Sequence, residues 1–120
     1  MRFRRALDHG NVTEALSAAS ELGFVGLAEA LELTLLLADK EPEKFDRAAV
    51  RWHVRFVCDS KNVDLRESLA VLALLGAIPG NRLAATALAE LLSRRHGLER
   101  AAEALVRWSR TSVPTLGKES

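Results

Sequence analysis

Cysteine, tyrosine and proline are scarce in this chain, and two of these scarcities exclude a class of structure or site. The single cysteine, Cys58, has no partner for a disulfide within the chain, so we expect a reducing compartment, the cytoplasm. There is no tyrosine, and aromatic residues make up only 5% of the sequence. Because these few rings fall in apolar stripes, the sequence argues against a surface that stacks the bases of single-stranded nucleic acid.

Long apolar runs and a strong net charge are also absent. The apolar run LAVLALLGAI, residues 69–78, is about half of the ~20 residues that a membrane-spanning helix needs. The formal net charge is +1, so the chain as a whole has little attraction for nucleic acid or a membrane surface. No phosphate-binding loop, hydrolase signature or paired metal-ligand spacing occurs. We therefore expect no catalytic site, no cofactor, no metal and no membrane partner.

Helix-forming residues and short turn signals dominate what is present. Ala, Leu, Glu and Arg favour helices, and Gly, Asn and Pro divide them, with Gly10 expected to end one helix and Asn81 to cap another. The pattern predicts one all-α domain over residues 1–110, a bundle of six to seven short helices in antiparallel hairpins, and a flexible C-terminal tail at 111–120. The predicted helices cover residues 2–9, 12–22, 25–39, 43–58, 64–77, 82–96 and 98–110.

Two parts of the chain resemble each other without a gap. Residues 27–52 align with residues 83–108, and the tripeptide Val-Arg-Trp ends both stretches. We interpret this as a duplicated three-helix unit, residues 11–60 and 62–110, stacked as a small solenoid-like array. Two such units leave apolar end faces, so we expect the chain to associate with itself, most simply as a twofold homodimer.

The helix predicted at 43–58 carries most of the candidate functional residues. On a helical wheel its side chains form two apolar stripes and one arginine stripe. These stripes are Phe45, Ala49, Trp52 and Phe56; then Val50, Val54 and Val57; and Arg47, Arg51 and Arg55. Apolar residues over more than half of the wheel predict a central helix that is buried on two sides. The candidate interface residues are Phe45, Trp52, His53, Phe56 and Trp108.

The arginine stripe allows two interpretations. As structure, Glu43 and Asp59 extend it at i,i+4 steps, and the preceding helix offers further carboxylates as cross-helix partners: Glu29, Glu32 and Asp39. As function, three guanidinium groups one turn apart can follow a phosphate backbone. We favour the structural interpretation, because runs of charge are commonly paired or solvated.

The spacing of Arg47 and His53 suggests a third possibility. The segment RAAVRWH is Arg-x5-His, which resembles the Arg-x4–6-His motif of HEPN ribonucleases, small and usually dimeric helical bundles. That resemblance implies a ribonuclease in which Arg47 and His53 form the active site. It covers seven residues, and Ala48 stands where the family usually has a polar residue. The helix is also mid-chain here, whereas the family has the motif on a late helix.

We therefore expect binding rather than catalysis: a small cytoplasmic adaptor whose helical surface takes a protein partner or a second copy. The first alternative is nucleic-acid binding through an arginine face, and the second is a HEPN-like ribonuclease that uses Arg47 and His53. The arginine face of the first alternative would combine Arg2, Arg4 and Arg5 with Arg47, Arg51 and Arg55.

Overall fold

Seven α-helices, two 3-10 turns and no strand make up the part of the chain that the structure describes. It is a computed structural model, and it describes the backbone of residues 2–111 and the side chains of residues 2–110. The helices are α1 (Arg2–Asp8), α2 (Val12–Leu22), α3 (Leu27–Lys40), α4 (Phe45–Asp59), α5 (Leu65–Ala77), α6 (Arg82–Ser93) and α7 (Glu99–Thr111). The all-α prediction is confirmed, whereas the predicted tail lies, from residue 112 on, outside the described residues.

The helix ends follow the turn residues of the sequence. Gly10 follows α1 with a positive φ angle of 70°, the left-handed conformation that glycine adopts without strain, whereas α6 ends at Ser93, three residues before its predicted end at residue 96. Asn81 caps α6 as predicted, since its side-chain oxygen accepts a hydrogen bond from the backbone N–H of Leu83 (2.9 Å). Among residues 2–111, no helix is long and apolar enough to cross a membrane.

Helix α3 lies at the centre of the arrangement, in contact with α1, α2, α4 and α7. Helices α6 and α7 form a closely packed pair, and α5 packs between α4 and α6. The main core is built by α3 to α7, while α1 and α2 form a small apolar cluster of their own around Phe3 and Ala15. The α1–α2 pair therefore stands to one side of α4, with α3 beneath both.

Helix α4 buries one of its two apolar stripes. Its inner stripe lies in the main core, and the rings of Trp52 and Phe56 stack there with centroids 5.7 Å apart. Three candidate interface residues, Phe45, Trp52 and Phe56, are thus enclosed by the chain itself. The prediction of burial on two sides is wrong for the single chain, because no described helix covers the outer stripe. Its valines are exposed: Val50 by 54%, Val54 by 53% and Val57 by 37%.

Candidate functional site: an arginine-lined groove

A groove of about 720 Å³ runs between α2 and α4, with α3 as its floor. One side is apolar and the other carries the arginine stripe of α4. The apolar lining consists of Leu16, Val25, Ala30, Leu33 and Leu37, and the cationic lining of Arg47, Arg51 and Arg55. The groove exists because α1 and α2 pack on α3 without closing over α4.

Arg55 lines the groove, but its guanidinium is held by contacts within the fold. Its Nη1 donates a hydrogen bond to the carbonyl oxygen of Val25 (2.6 Å), and its guanidinium lies over the ring of Phe24, 5.2 Å from the centroid. Its Nη2 is also 3.7 Å from the carboxylate of Asp59, the i,i+4 pair expected from the sequence. Arg55 thereby ties α4 to the connection between α2 and α3, and much of its charge is already engaged.

Arg47 and Arg51 are free. Both are exposed, and among the described residues neither guanidinium has a hydrogen bond or an ion pair, so the expected pair of Glu43 with Arg47 is not formed. Lys44 also lines the groove, but it pairs with Glu41 (2.6 Å), and that hydrogen bond raises the pKa of the lysine. Two guanidinium groups without an ion-pair partner among the described residues therefore lie on one wall of the groove.

The carboxylates of α3 form no ion pair with the arginine stripe of α4. The expectation of cross-helix pairs between α3 and α4 is therefore wrong. They lie on faces of α3 turned toward α1 and α7. The pairs are Glu29 with Arg100, Glu32 with Arg4 (2.7 Å) and Arg107 (3.6 Å), and Asp39 with the indole N–H of Trp108 (3.0 Å). Burial alone would raise the pKa of Glu29, but hydrogen bonds from its own backbone N–H and from Arg100 hold that pKa below its ordinary value.

Two acidic residues border the groove at the end where α4 begins. Glu43 and Asp46 are exposed there, in the 3-10 turn (Pro42–Lys44) and the first turn of α4. Negative charge at a helix N-terminus is favourable to the helix dipole. The electrostatic character of the groove therefore changes along its length, from acidic at this end to cationic beside Arg47 and Arg51.

His53 and Arg47 lie on different faces of α4. Arg47 lines the groove, whereas His53 is half-buried against α5 and its Nε2 donates a hydrogen bond to the carbonyl oxygen of Ser68 (2.9 Å). The hydroxyl of Ser68 is 3.2 Å from the same nitrogen. The imidazole thus has a partner within the fold, and the structure does not bring it together with Arg47.

The arginines of α1 are engaged in ion pairs and do not extend the cationic wall. Arg2 contacts Glu14 and Glu21, the latter at 2.7 Å, and Arg4 is bound by Glu32 and Asp8. The hydrogen bond to Glu32 raises the pKa of Arg4. Of the six arginines that the sequence grouped as one face, only Arg5, Arg47 and Arg51 are without a partner among the described residues.

The remaining candidate, Trp108, lies half-buried at the edge of the main core. Its ring lies under the guanidinium of Arg82, 4.6 Å from the centroid, in addition to its hydrogen bond with Asp39. Within residues 2–111, no cluster of three or more His, Cys, Asp or Glu residues could hold a metal ion.

No family model matches this chain. Neither a curated protein nor a solved structure matches it either.

The apolar lining was not among the candidate residues from the sequence. The sequence does contain a signal for this apolar lining. Helix α3 has leucines on every side of its helical wheel, and of these only Leu31 and Leu35 are buried in the main core. Leu33 and Leu37 lie on another face, where they line the groove together with Leu16 of α2, and Leu33 also packs against the apolar cluster of α1 and α2. Helical periodicity reveals such surplus leucines, but the helix that lies beside them depends on the tertiary arrangement.

Proposed function

We propose that the chain is a non-enzymatic protein-interaction module that binds an acidic amphipathic helix of a partner protein in the arginine-lined groove. The observation that carries the proposal is the pair of free guanidinium groups, Arg47 and Arg51, beside an apolar floor. Amphipathic helices bind other proteins by laying an apolar face into a groove of this kind. Because both guanidinium groups are positive, they favour a partner helix that carries acidic residues along its polar edge.

The dimensions of the groove fit two to three turns of helix. Its floor is the part of α3 from Ala30 to Leu37, about 11 Å long, and its wall on α4 from Asp46 to Arg55 is about 14 Å long, at 1.5 Å per residue. Arg47 and Arg51 are one turn apart, about 6 Å, so two carboxylates at i,i+4 on a bound helix can meet both. Apolar side chains at i, i+3 and i+7 of the same helix would then pack on Leu16, Leu33 and Leu37.

Nucleic-acid binding is the alternative use of the same residues. The free guanidinium groups of Arg47 and Arg51 support it, since each can contact a phosphate. Two observations favour the acidic helix instead: Arg55 is engaged with Val25 and Asp59, and the apolar floor offers nothing to a phosphate backbone. No observation favours a HEPN-like ribonuclease, since His53 faces α5.

We also propose that the hairpins α3–α4 and α6–α7 are copies of one unit. The support is the aligned Val-Arg-Trp tripeptide on α4 and α7, together with matching burial at aligned positions. Phe45 and Ala101 are both buried, as are Ala49 and Leu105.

The proposed binding of an acidic helix is tested by fluorescence-anisotropy titration with a labelled helical peptide of about 16 residues. The peptide has leucines on one face and glutamates at i,i+4 along its edge. We expect micromolar binding that weakens with salt, and at least ~10-fold weaker binding of the same peptide with lysine in place of glutamate. Arg51→Glu should lower the affinity at least ~10-fold as well. The matched control is Arg5→Glu, an exposed and unpaired arginine of α1 that is not in the groove.

Two results would overturn the proposal. The first is equal affinity for the acidic and the basic peptide, and the second is an equal effect of Arg51→Glu and Arg5→Glu. Single-stranded RNA is titrated in parallel. Salt-sensitive binding of RNA that Arg51→Glu abolishes, with no binding of the acidic peptide, would establish the nucleic-acid alternative instead.

A further inference from the structure

The face of α4 that lines the groove has a counterpart on α7. When residues 27–52 are aligned with residues 83–108, three groove-lining residues of α4 meet three residues of α7: Lys44 meets Arg100, Ala48 meets Ala104 and Arg51 meets Arg107. Because successive members are a helical turn apart, they share one face of each helix. The two helices therefore present the same kind of surface, with a small apolar side chain between two basic ones.

On α7 this face is covered by α3. Arg100 pairs with Glu29 of α3, and Arg107 pairs with Glu32 at 3.6 Å. Ala104 lies between the two pairs, where it lines a cavity together with apolar residues of α3. Within this fold, such a surface accepts an apolar helix with carboxylates along its edge. On α4 the corresponding surface borders the open groove.

Helix α3 lies on α7 in a parallel direction. Three contacts rise together along the two helices: Arg100 with Glu29, Arg107 with Glu32, and the indole N–H of Trp108 with Asp39 (3.0 Å). Because the residue numbers increase on both sides of the contact, the two helices run the same way. A helix that takes the same place on α4 would lie in the groove and run parallel to α4.

The charges of the groove favour the same direction. Glu43 and Asp46 border the end at which α4 begins, and Arg47 and Arg51 follow along the wall. The N-terminus of an α-helix carries a partial positive charge, and its C-terminus carries a partial negative charge. A bound helix that runs parallel to α4 therefore brings its positive end to the carboxylates and its negative end to the guanidinium groups. The reverse direction would place like charges together at both ends.

We propose that the partner helix lies in the groove parallel to α4 and carries a basic residue at its N-terminal end, followed by its carboxylates. The basic residue faces Glu43 and Asp46, and the carboxylates face Arg47 and Arg51. This inference rests on the proposed function, to which it adds the direction of the partner helix and the order of its charges. The contact between α3 and α7 and the charges along the groove support it independently.

Two peptides of identical composition test the order of charges. Both are amphipathic helices of about 16 residues, with leucines on one face and glutamates at i,i+4, and they differ only in the position of one lysine. The lysine lies one turn before the glutamates in the first peptide and one turn after them in the second. In anisotropy titrations at low salt we expect the first peptide to bind at least ~5-fold more tightly, because its lysine meets carboxylates rather than arginines.

Neutralising the acidic end of the groove is the matched control. The double variant Glu43→Gln with Asp46→Asn should bind the two peptides equally, to within about twofold, and circular dichroism verifies that it folds. If the wild-type chain binds the second peptide equally or more tightly, or if the preference persists in the variant, the proposed order of charges is overturned while the proposed function stands. If the wild-type chain binds neither peptide, the proposed function fails and the direction fails with it.

A nitroxide on Cys58 tests the direction without any substitution. Cys58 is exposed, is the only cysteine in the chain and lies near the end of α4, beyond Arg51 along the groove wall. With the first peptide isotope-labelled and bound, we expect paramagnetic broadening to be strongest for the amide signals of its C-terminal half. Anisotropy verifies that the nitroxide leaves the affinity unchanged. Broadening that is equal in both halves, or stronger in the N-terminal half, overturns the parallel direction.

Discussion

Arginine side chains of this chain differ in role because they differ in what lies within reach. Arg47 and Arg51 face an apolar groove and stay free, whereas Arg95 is fully engaged. Arg95 donates to the carboxylate of Glu67 and to the carbonyl oxygens of Lys61 (2.7 Å) and Asn62 (3.1 Å). It thus fastens the connection between α4 and α5 to the end of α6, and its hydrogen bond to Glu67 holds the pKa of that carboxyl below its ordinary value.

The Glu67–Arg95 pair predicts a pH-dependent part of the stability. Because the pKa of Glu67 is lower in the folded chain than in the unfolded chain, its stabilisation is present above the ordinary glutamate pKa and is lost as the pH falls through the lowered value. Glu67→Gln should therefore lower the free energy of unfolding by about 1 kcal/mol at pH 7. The difference from wild type should shrink toward zero in acid.

Urea unfolding of both proteins across the acid range measures this difference. Glu103→Gln is the control, since Glu103 is exposed and has no ion pair among the described residues; it should change the free energy by less than about 0.5 kcal/mol. If Glu67→Gln lowers the free energy of unfolding equally at pH 7 and in acid, the charge of the carboxylate is not what stabilises the fold.

Ion pairs of this kind could not be predicted from the sequence. Glu67 and Arg95 are 28 residues apart, and so are Arg4 and Glu32. Local spacing suggested Glu43 with Arg47 and Asp59 with Arg55, and only the second pair is formed. A long, flexible arginine side chain pairs with the carboxylate that tertiary packing brings nearest. An i,i+4 ion pair stabilises a helix by only a few tenths of a kcal/mol, which is too little to decide the partner.

The helices were predictable because their ends are local. Gly10 and Asn81 act through their own backbone conformation or through a hydrogen bond two residues away, and both stand at the predicted ends. The inner stripe of α4 was equally predictable, since a 3.6-residue period places Trp52 and Phe56 on one face wherever the helix packs. Such signals do not depend on the rest of the chain.

Two glycines should respond oppositely to alanine, because they serve different roles in their helices. Gly23 ends α2 with a φ of 77°, and nothing lies within 4 Å of an added Cβ, so Gly23→Ala should cost about 1 kcal/mol through backbone strain alone. Gly76 lies inside α5, also with nothing within 4 Å. Gly76→Ala should raise the free energy of unfolding by about 0.5–1 kcal/mol.

Thermal and urea unfolding at one fixed protein concentration compare the two variants with wild type. Each glycine is the control for the other, since both substitutions add the same methyl group. If both variants lose stability, the added methyl group in α5 meets an obstacle, and α5 is more closely covered than the single chain shows.

At the scale of the whole molecule, a pattern predicts which residues share a face but not which helix covers that face. The two apolar stripes of α4 were indistinguishable in the sequence, yet α3 and α5 help to enclose one and leave the valines in solvent. The same limit explains the groove, because Leu33 and Arg51 become neighbours only through the hairpin that joins α3 and α4.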